Sequence, residues 1–223
     1  MLYEKILYTA AGIALFFALL VGPAVLTCFN ADFYAKGFEK YGGRKAAELS
    51  PEDAKNVGEQ IASFLNGKSG GLNADVSING VSRPFFNERE LAHMVDVRNL
   101  VRGCAVFCVV CLGLVCAAFG CALKRQSLAA MRVCVLLSLT VSFAVFLILC
   151  ALTALNFNSA FNLFHKIFFN NDLWLLNPQT DLLIALMPLE FFIGAAKAQA
   201  AGSAAYFSFV SALLLFYKKG ARA

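Results

Sequence analysis

The sequence predicts a membrane protein, mainly α-helical: a bundle of four transmembrane helices with a small α+β extracytoplasmic cap. Three observations predict it. Apolar residues make up 60% of the 223-residue chain and mean hydropathy is +0.69, which places it outside the soluble globular class. Charge-free runs lie between Lys5 and Asp32, Arg102 and Lys124, Arg132 and Lys166, and Lys197 and Lys218. Each is long enough for the roughly 20 residues that cross a bilayer as a helix. The polar residues, finally, collect in the blocks between these runs.

The first span is read at 6 to 28, within a first segment of residues 1 to 28. It resembles a signal peptide, but its apolar run is longer than a signal core and has no convincing A-x-A site. Val25-Leu26-Thr27-Cys28 resembles a degenerate lipobox, with Thr a poor fit before the cysteine. Uncleaved anchor is therefore the reading taken.

Residues 29 to 100 form the cap. Within it 31 to 72 is the most polar stretch, broken at Gly42-Gly43 and Gly70-Gly71. Ser50-Pro51 reads as a helix start, N-cap followed by proline at the first helical position, leading into Val57, Ile61, Phe64 and Leu65 at helical spacing. Residues 75 to 82 alternate around Asn79-Gly80 and predict a short hairpin. Asn87-Glu88-Arg89-Glu90 resembles a capping box that opens a helix running toward the second span.

Residues 101 to 156 hold the second and third spans, at 101 to 123 and 133 to 156, joined by a loop at 124 to 132. Residues 157 to 198 return to the cap side as interfacial helices. Asn177-Pro178 reads as another helix start, and the apolar stretch 182 to 196 as an interfacial or re-entrant helix. Residues 199 to 223 are the fourth span, to 217, and a tail.

Orientation follows from charge. Lys5, Lys124, Arg125, Arg132, Lys218, Lys219 and Arg222 lie on one side with Glu4 as the sole acid, so both termini are predicted cytoplasmic. The opposite side is near charge balance. The net charge of +5 thus reflects a cytoplasmic edge rather than a nucleic-acid surface, and no nucleic-acid partner is expected.

All eight cysteines fall in apolar spans and read as packing residues; none sits with histidine at zinc-ligand spacing. No metal and no cofactor signature is present. Nothing in the sequence specifies an oligomeric state.

The chain has only two histidines, His93 and His165, and both flank the same predicted side of the membrane. Two imidazoles meeting there would form an acid/base couple with intrinsic pKa near neutrality. Glu90, His93 and Asp96 recur at i, i+3 and i+6, so an acid lies within a turn on either side of His93 and could orient it. A solvated helix face with weak ion pairs is the other reading of this pattern. Around His165, helical spacing gathers Phe157, Phe161, Phe164 and Phe168 in a stripe with Asn158, Asn162 and His165 beside it. An aromatic belt anchored by Trp174 is the bland account of that segment.

Two motifs carry a resemblance. Asn87-Glu88-Arg89-Glu90-Leu91-x-His93-Met94-x-Asp96-Val97 is followed by Phe161-x-x-Phe164-His165-x-Ile167-Phe168-Phe169-x-Asn171-Asp172-x-Trp174, then Asn177-Pro178 and Pro188-x-x-Phe191-Phe192. Together they resemble the lipoprotein intramolecular transacylase family of Gram-positive bacteria, over nearly the whole chain. The resemblance implies a multi-pass protein of the bacterial cell membrane whose active site lies at the outer leaflet. It implies as partners the phospholipid bilayer and diacylglyceryl-modified lipoproteins. The reaction implied is transfer of the sn-2 acyl chain to the α-amine of the lipoprotein's N-terminal cysteine, giving the lyso form.

On this reading His93 and His165 are catalytic and Asp96 and Glu90 supporting. Asn158, Asn162, Arg98 and Trp174 are substrate-binding candidates. Ester aminolysis needs a base for the amine proton, a stabilised oxyanion and an acid for the departing oxygen, which two histidines can share. The alternative is a membrane scaffold or sensor whose cap binds an extracellular partner. A small-solute transporter fits less well, because no span carries an ionisable residue near its middle.

Overall fold

Charge-free runs become helices because in hydrocarbon every backbone group must be bonded within its own segment. The computed structural model describes residues 2–78 and 81–216. Four of its helices are long and apolar enough to cross a membrane: α1 (Leu2–Cys28), α5 (Glu88–Lys124), α6 (Leu128–Leu155) and α9 (Leu189–Phe216). The other elements are α2 (Ala31–Lys40), α3 (Gly43–Ala46), α4 (Pro51–Asn66), β1 (Asp75–Ile78), β2 (Val81–Pro84), α7 (Phe157–Phe168) and α8 (Leu182–Leu186). The chain divides into two compact units.

One unit comprises residues up to Pro23, Ala105–Leu155, and the chain from Ala198. Small residues let its helices approach. A Cβ on Gly12 would lie 2.6 Å from that of Ser138 and 3.0 Å from the Val135 backbone. Beside that contact Tyr8 is wholly buried, and its hydroxyl pairs with Ser127 Oγ at 2.6 Å. Further along, Phe16 stacks on Phe207 with centroids 5.0 Å apart. Gln199 Nε2 donates to the Leu20 carbonyl at 2.7 Å, satisfying backbone near Pro23, where helical bonding is interrupted. Val109, Val141, Ile148 and Leu152 point outward, an apolar exterior suited to lipid.

The other unit comprises Ala24–Cys104 and Asn156–Lys197. Its core joins Tyr34 and Phe38 of α2, Val57, Ile61 and Phe64 of α4, Val76, Phe85 and Met94, and Leu183, Leu186 and Phe191. The Ser50 start of α4 forms as expected: Ser50 Oγ accepts from Asp53 N at 3.0 Å with Pro51 next, and Gly67 closes the helix at φ +80°. β1 and β2 pair antiparallel with Asp75 opposite Pro84 and Ser77 opposite Ser82. The Asn79-Gly80 turn expected between them lies outside the described residues, as do Lys218, Lys219 and Arg222. Asn87 and Glu90 form the capping box that starts α5.

Two expectations about the segment after α7 differ from the structure. Asn177-Pro178 opens a turn, not a helix: Asn177 O accepts from Thr180 N and Asp181 N, and the helix begins at Leu182. Asp181 causes this by accepting from Asn177 N at 2.7 Å, which closes the turn before a helix can propagate. The stretch 182 to 196, read as one separate helix, divides at Pro188 into the five-residue α8 and the start of α9. The residue before a proline avoids helical geometry, and Met187 has ψ 73°.

Candidate active site

Helix α5 begins with a carboxylate that serves two elements. Glu90, only 1% exposed, accepts from Asn87 N at 2.7 Å through one oxygen and from Leu183 N at 2.6 Å through the other. Burial pushes its carboxyl above the usual range, against the pull of those two N–H donors. Two further bonds tie the same helix to the chain beyond α7. Arg89 Nη2 donates to the Asp172 carbonyl at 2.6 Å and Asn171 Nδ2 to Asp96 Oδ2 at 2.9 Å. The segment 171 to 183 is thus fastened along the first turns of α5, and His93 occupies the middle of that face.

Helix α7 delivers the second imidazole. Asn156 caps it by accepting from Ser159 N at 3.0 Å. His165, on its last turn, is buried among rings: Phe161 at 4.2 Å between centroids, Trp174 stacked at 4.9 Å, Phe164 at 5.4 Å and Phe169 at 5.5 Å. His93 lies 6.2 Å from it, centroid to centroid, with Phe169 at 5.3 Å from His93. Even with the nearest nitrogens aimed at each other that spacing leaves about 4 Å, beyond a direct hydrogen bond.

The protonation states follow from partners. His165 Nδ1 lies 2.7 Å from the Phe161 carbonyl, which only accepts, so Nδ1 carries the proton and the neutral ring presents Nε2 as a lone-pair base. Burial holds the His165 pKa below its ordinary value, opposed by that bond. His93 is pushed down to about 4, by burial first and repulsion from His165 second, with Asp96 pulling the other way. Both rings are therefore neutral at pH 7, and charging one opposes charging the other. His93 Nδ1 is buried without a hydrogen-bond partner.

A cavity of about 450 Å³ adjoins this cluster, lined by Phe169 and Trp174, both ring neighbours of His165, and by Leu175 and polar residues of α7 and the following loop. Among the described residues no group of three His, Cys, Asp or Glu could hold a metal ion.

A family model described as lipoprotein intramolecular transacylase Lit matches residues 9–192. This chain belongs to the lipoprotein intramolecular transacylase family. It is an acyltransferase integral to the membrane, acting on lipoproteins by intramolecular transacylation. Its fold is that of the membrane integral lipoprotein intramolecular transacylase Lit from Bacillus cereus, with TM-score 0.79 and 19% identity, covering 96% of this chain and 95% of that one. A variant of the Bacillus cereus protein with a histidine replaced by alanine matches at TM-score 0.72 and 18% identity, covering 96% and 93%. No curated protein matches the sequence.

In this transacylase the sequence candidates separate into three groups. His93, His165 and Trp174 lie together, and Asn162 lines the adjoining cavity. Asp96 and Glu90 spend their hydrogen bonds on Asn171, Asn87 and Leu183, anchoring the loop that carries Trp174. Asn158 is exposed near the start of α7 and Arg98 lies over the Phe64 ring at 4.6 Å; neither lines the cavity. Lys166, Asn170 and Asn171 also line the cavity, although the sequence motifs give none of them a role in the site. The run of polar residues directly after Phe169 was the available signal, since irregular polar chain beside a buried titratable group marks functional loops.

Proposed function

We propose that His93 and His165 are the acid/base couple of an O-to-N acyl shift on the N-terminal diacylglyceryl cysteine of a lipoprotein. The observation that carries this is their proximity, 6.2 Å between rings that are 72 positions apart in sequence (165 − 93 = 72). As the cysteine α-amine attacks the sn-2 ester carbonyl, a C–N bond forms and His165 Nε2 takes the amine proton. Collapse of the tetrahedral intermediate breaks the bond from carbonyl carbon to glycerol oxygen. The imidazolium so formed at His165 passes its proton to His93 through the polar group of the substrate lying between the rings, and His93 delivers it to that oxygen, so one proton moves in total from nitrogen to oxygen. No acyl-enzyme is needed, because donor and acceptor arrive covalently joined.

The remaining residues take supporting parts in this reading. Asp96 and Glu90 position the site through the loop they hold, Trp174 fixes the His165 ring, and Asn162 faces substrate. Asn158 and Arg98 are the weaker binding candidates. The small helical and two-stranded unit is a cap on the extracytoplasmic side, with both termini cytoplasmic. Support for that orientation is the cationic edge formed by Lys5, Lys124, Arg125 and Arg132. The reaction then stays within the outer leaflet, and no polar head crosses the bilayer.

The test is incubation of the purified protein in detergent with a diacylglyceryl lipopeptide, followed by fragmentation mass spectrometry. The product has the mass of the substrate but carries one acyl group on nitrogen. Absence of that isomer with folded wild type overturns the reaction; full activity in His165→Ala overturns the assignment of the base.

A further inference from the structure

Going around α7 at 100° per residue, one arc holds Leu163, Ile167, Phe164 and Phe168, which are 59%, 66%, 43% and 52% exposed. Next comes buried His165, and beyond it Asn162 and Lys166, which line the cavity. The imidazole therefore sits between a strongly apolar exposed face and a recess of mixed polar and aromatic lining. An amphipathic helix of this kind lies with its apolar arc in lipid. A substrate whose reacting atoms are at His165 must then extend hydrocarbon to one side and its polar portion to the other.

The recess has a definite chemistry. Asn162, Lys166, Asn170 and Asp172 all line it, and among the described residues the side chains of these four make no hydrogen bond or ion pair. Beside Phe169, Trp174 and Leu175 these four polar groups make a mixed wall, on which an acyl chain would desolvate the amides and charges without return. Asp172 opposes a phosphate headgroup. Two amides flanked by a cation and a carboxylate suit alternating C=O and N–H groups, and about 450 Å³ is within the range of sites that hold small ligands.

Resting on the transacylase reading above, we infer that this recess is a subsite for the peptide backbone that follows the acceptor cysteine. It binds the first uncharged residues of the lipoprotein and so aims the α-amine at His165. Asn162 and Lys166 are the specificity-determining residues on the helix, with Asn170 and Asp172 opposite them on the loop. The acyl chains lie over the Leu163–Phe168 arc.

Two substrates test it: diacylglyceryl cysteine amide, and the same lipid extended by four uncharged residues. For wild type the extended substrate has a kcat/KM roughly tenfold higher, the effect of a few hydrogen bonds. In Lys166→Ala and in Asn162→Ser, made singly, that ratio falls toward one. The ratio is taken within one enzyme preparation, so a partly unfolded variant does not distort it. A wild-type ratio near one, with both substrates converted, overturns the subsite and leaves the reaction standing. A ratio unchanged in both variants overturns the residue assignment and with it the recess. If wild type converts neither substrate, the transacylase reading fails and the subsite falls with it.

Discussion

Asn171 donates from Nδ2 to Oδ2 of Asp96 at 2.9 Å, joining the helix that carries His93 to the loop that carries Trp174. Trp174 in turn stacks on His165, at 28° between ring planes. The acid three residues after His93 thus reaches the other histidine through a loop, and its field acts on His93 from a distance.

Asp96→Ala and Asn171→Ala are expected to lower kcat by similar factors, several-fold each, because both release the same loop. The double variant should be no worse than either single one, since one bond is broken in all three. Steady-state rates of N-acyl product formation check this. Additive losses would show that Asp96 acts chiefly as a charge beside His93.

Glu90→Ala removes the acceptor of two backbone N–H groups, at Asn87 and Leu183, in a place water does not reach. A buried unsatisfied donor costs about 1–3 kcal/mol, so a loss of roughly 2–5 kcal/mol is expected. Glu90→Gln retains one acceptor oxygen but turns an amide N–H₂ toward the second donor, and should fall between. Thermal melts in detergent rank the three proteins; a Glu90→Ala protein as stable as wild type would remove this carboxylate from the fold's supports.

Gly43 tests the same region from the other side. A Cβ there would run into the carbonyl of Leu186, a backbone atom of α8 that cannot rotate away. Gly43→Ala should therefore destabilise by about 1–3 kcal/mol, the ordinary cost of overpacking. A melt shows it; an unchanged melting temperature would mean that α3 and α8 part easily.

The spans were legible because a charge-free run has one stable outcome in hydrocarbon, and the starts at Ser50 and Asn87 because capping is a local bond between near neighbours. What sequence left out is long-range. Glu90 and Asp96 looked like partners of His93 because helical periodicity reports only which face a residue shares. Their bonds to Leu183 and Asn171 cross some 75 to 93 positions, as the separations of those pairs show. The turn at Asn177 is hidden from sequence for the same reason: Asn followed by Pro opens helices and turns alike, and Asp181 decides between them.

The pH dependence follows from the buried histidines. An ordinary histidine general base would give an acid limb near pH 6.5. Here His165 is held below that value by burial and His93 at about 4, so kcat should stay flat through pH 6.5 and fall only at lower pH. Trp174→Ala opens the His165 ring to water and should move that limb back toward 6.5, even where the rate itself drops. Stability carries a separate signature. The folded pKa of His93 is depressed, so the unfolded chain binds the extra proton; its contribution is full above pH 6.5 and is lost as pH falls through about 4. Glu90, with a raised pKa, works in the opposite sense, so wild type must be compared with His93→Gln rather than read alone. The melting-temperature difference between the two should shrink steadily, or reverse, from pH 6.5 to 4. A constant difference would mean that His93 is solvated and that the two rings do not share a buried site.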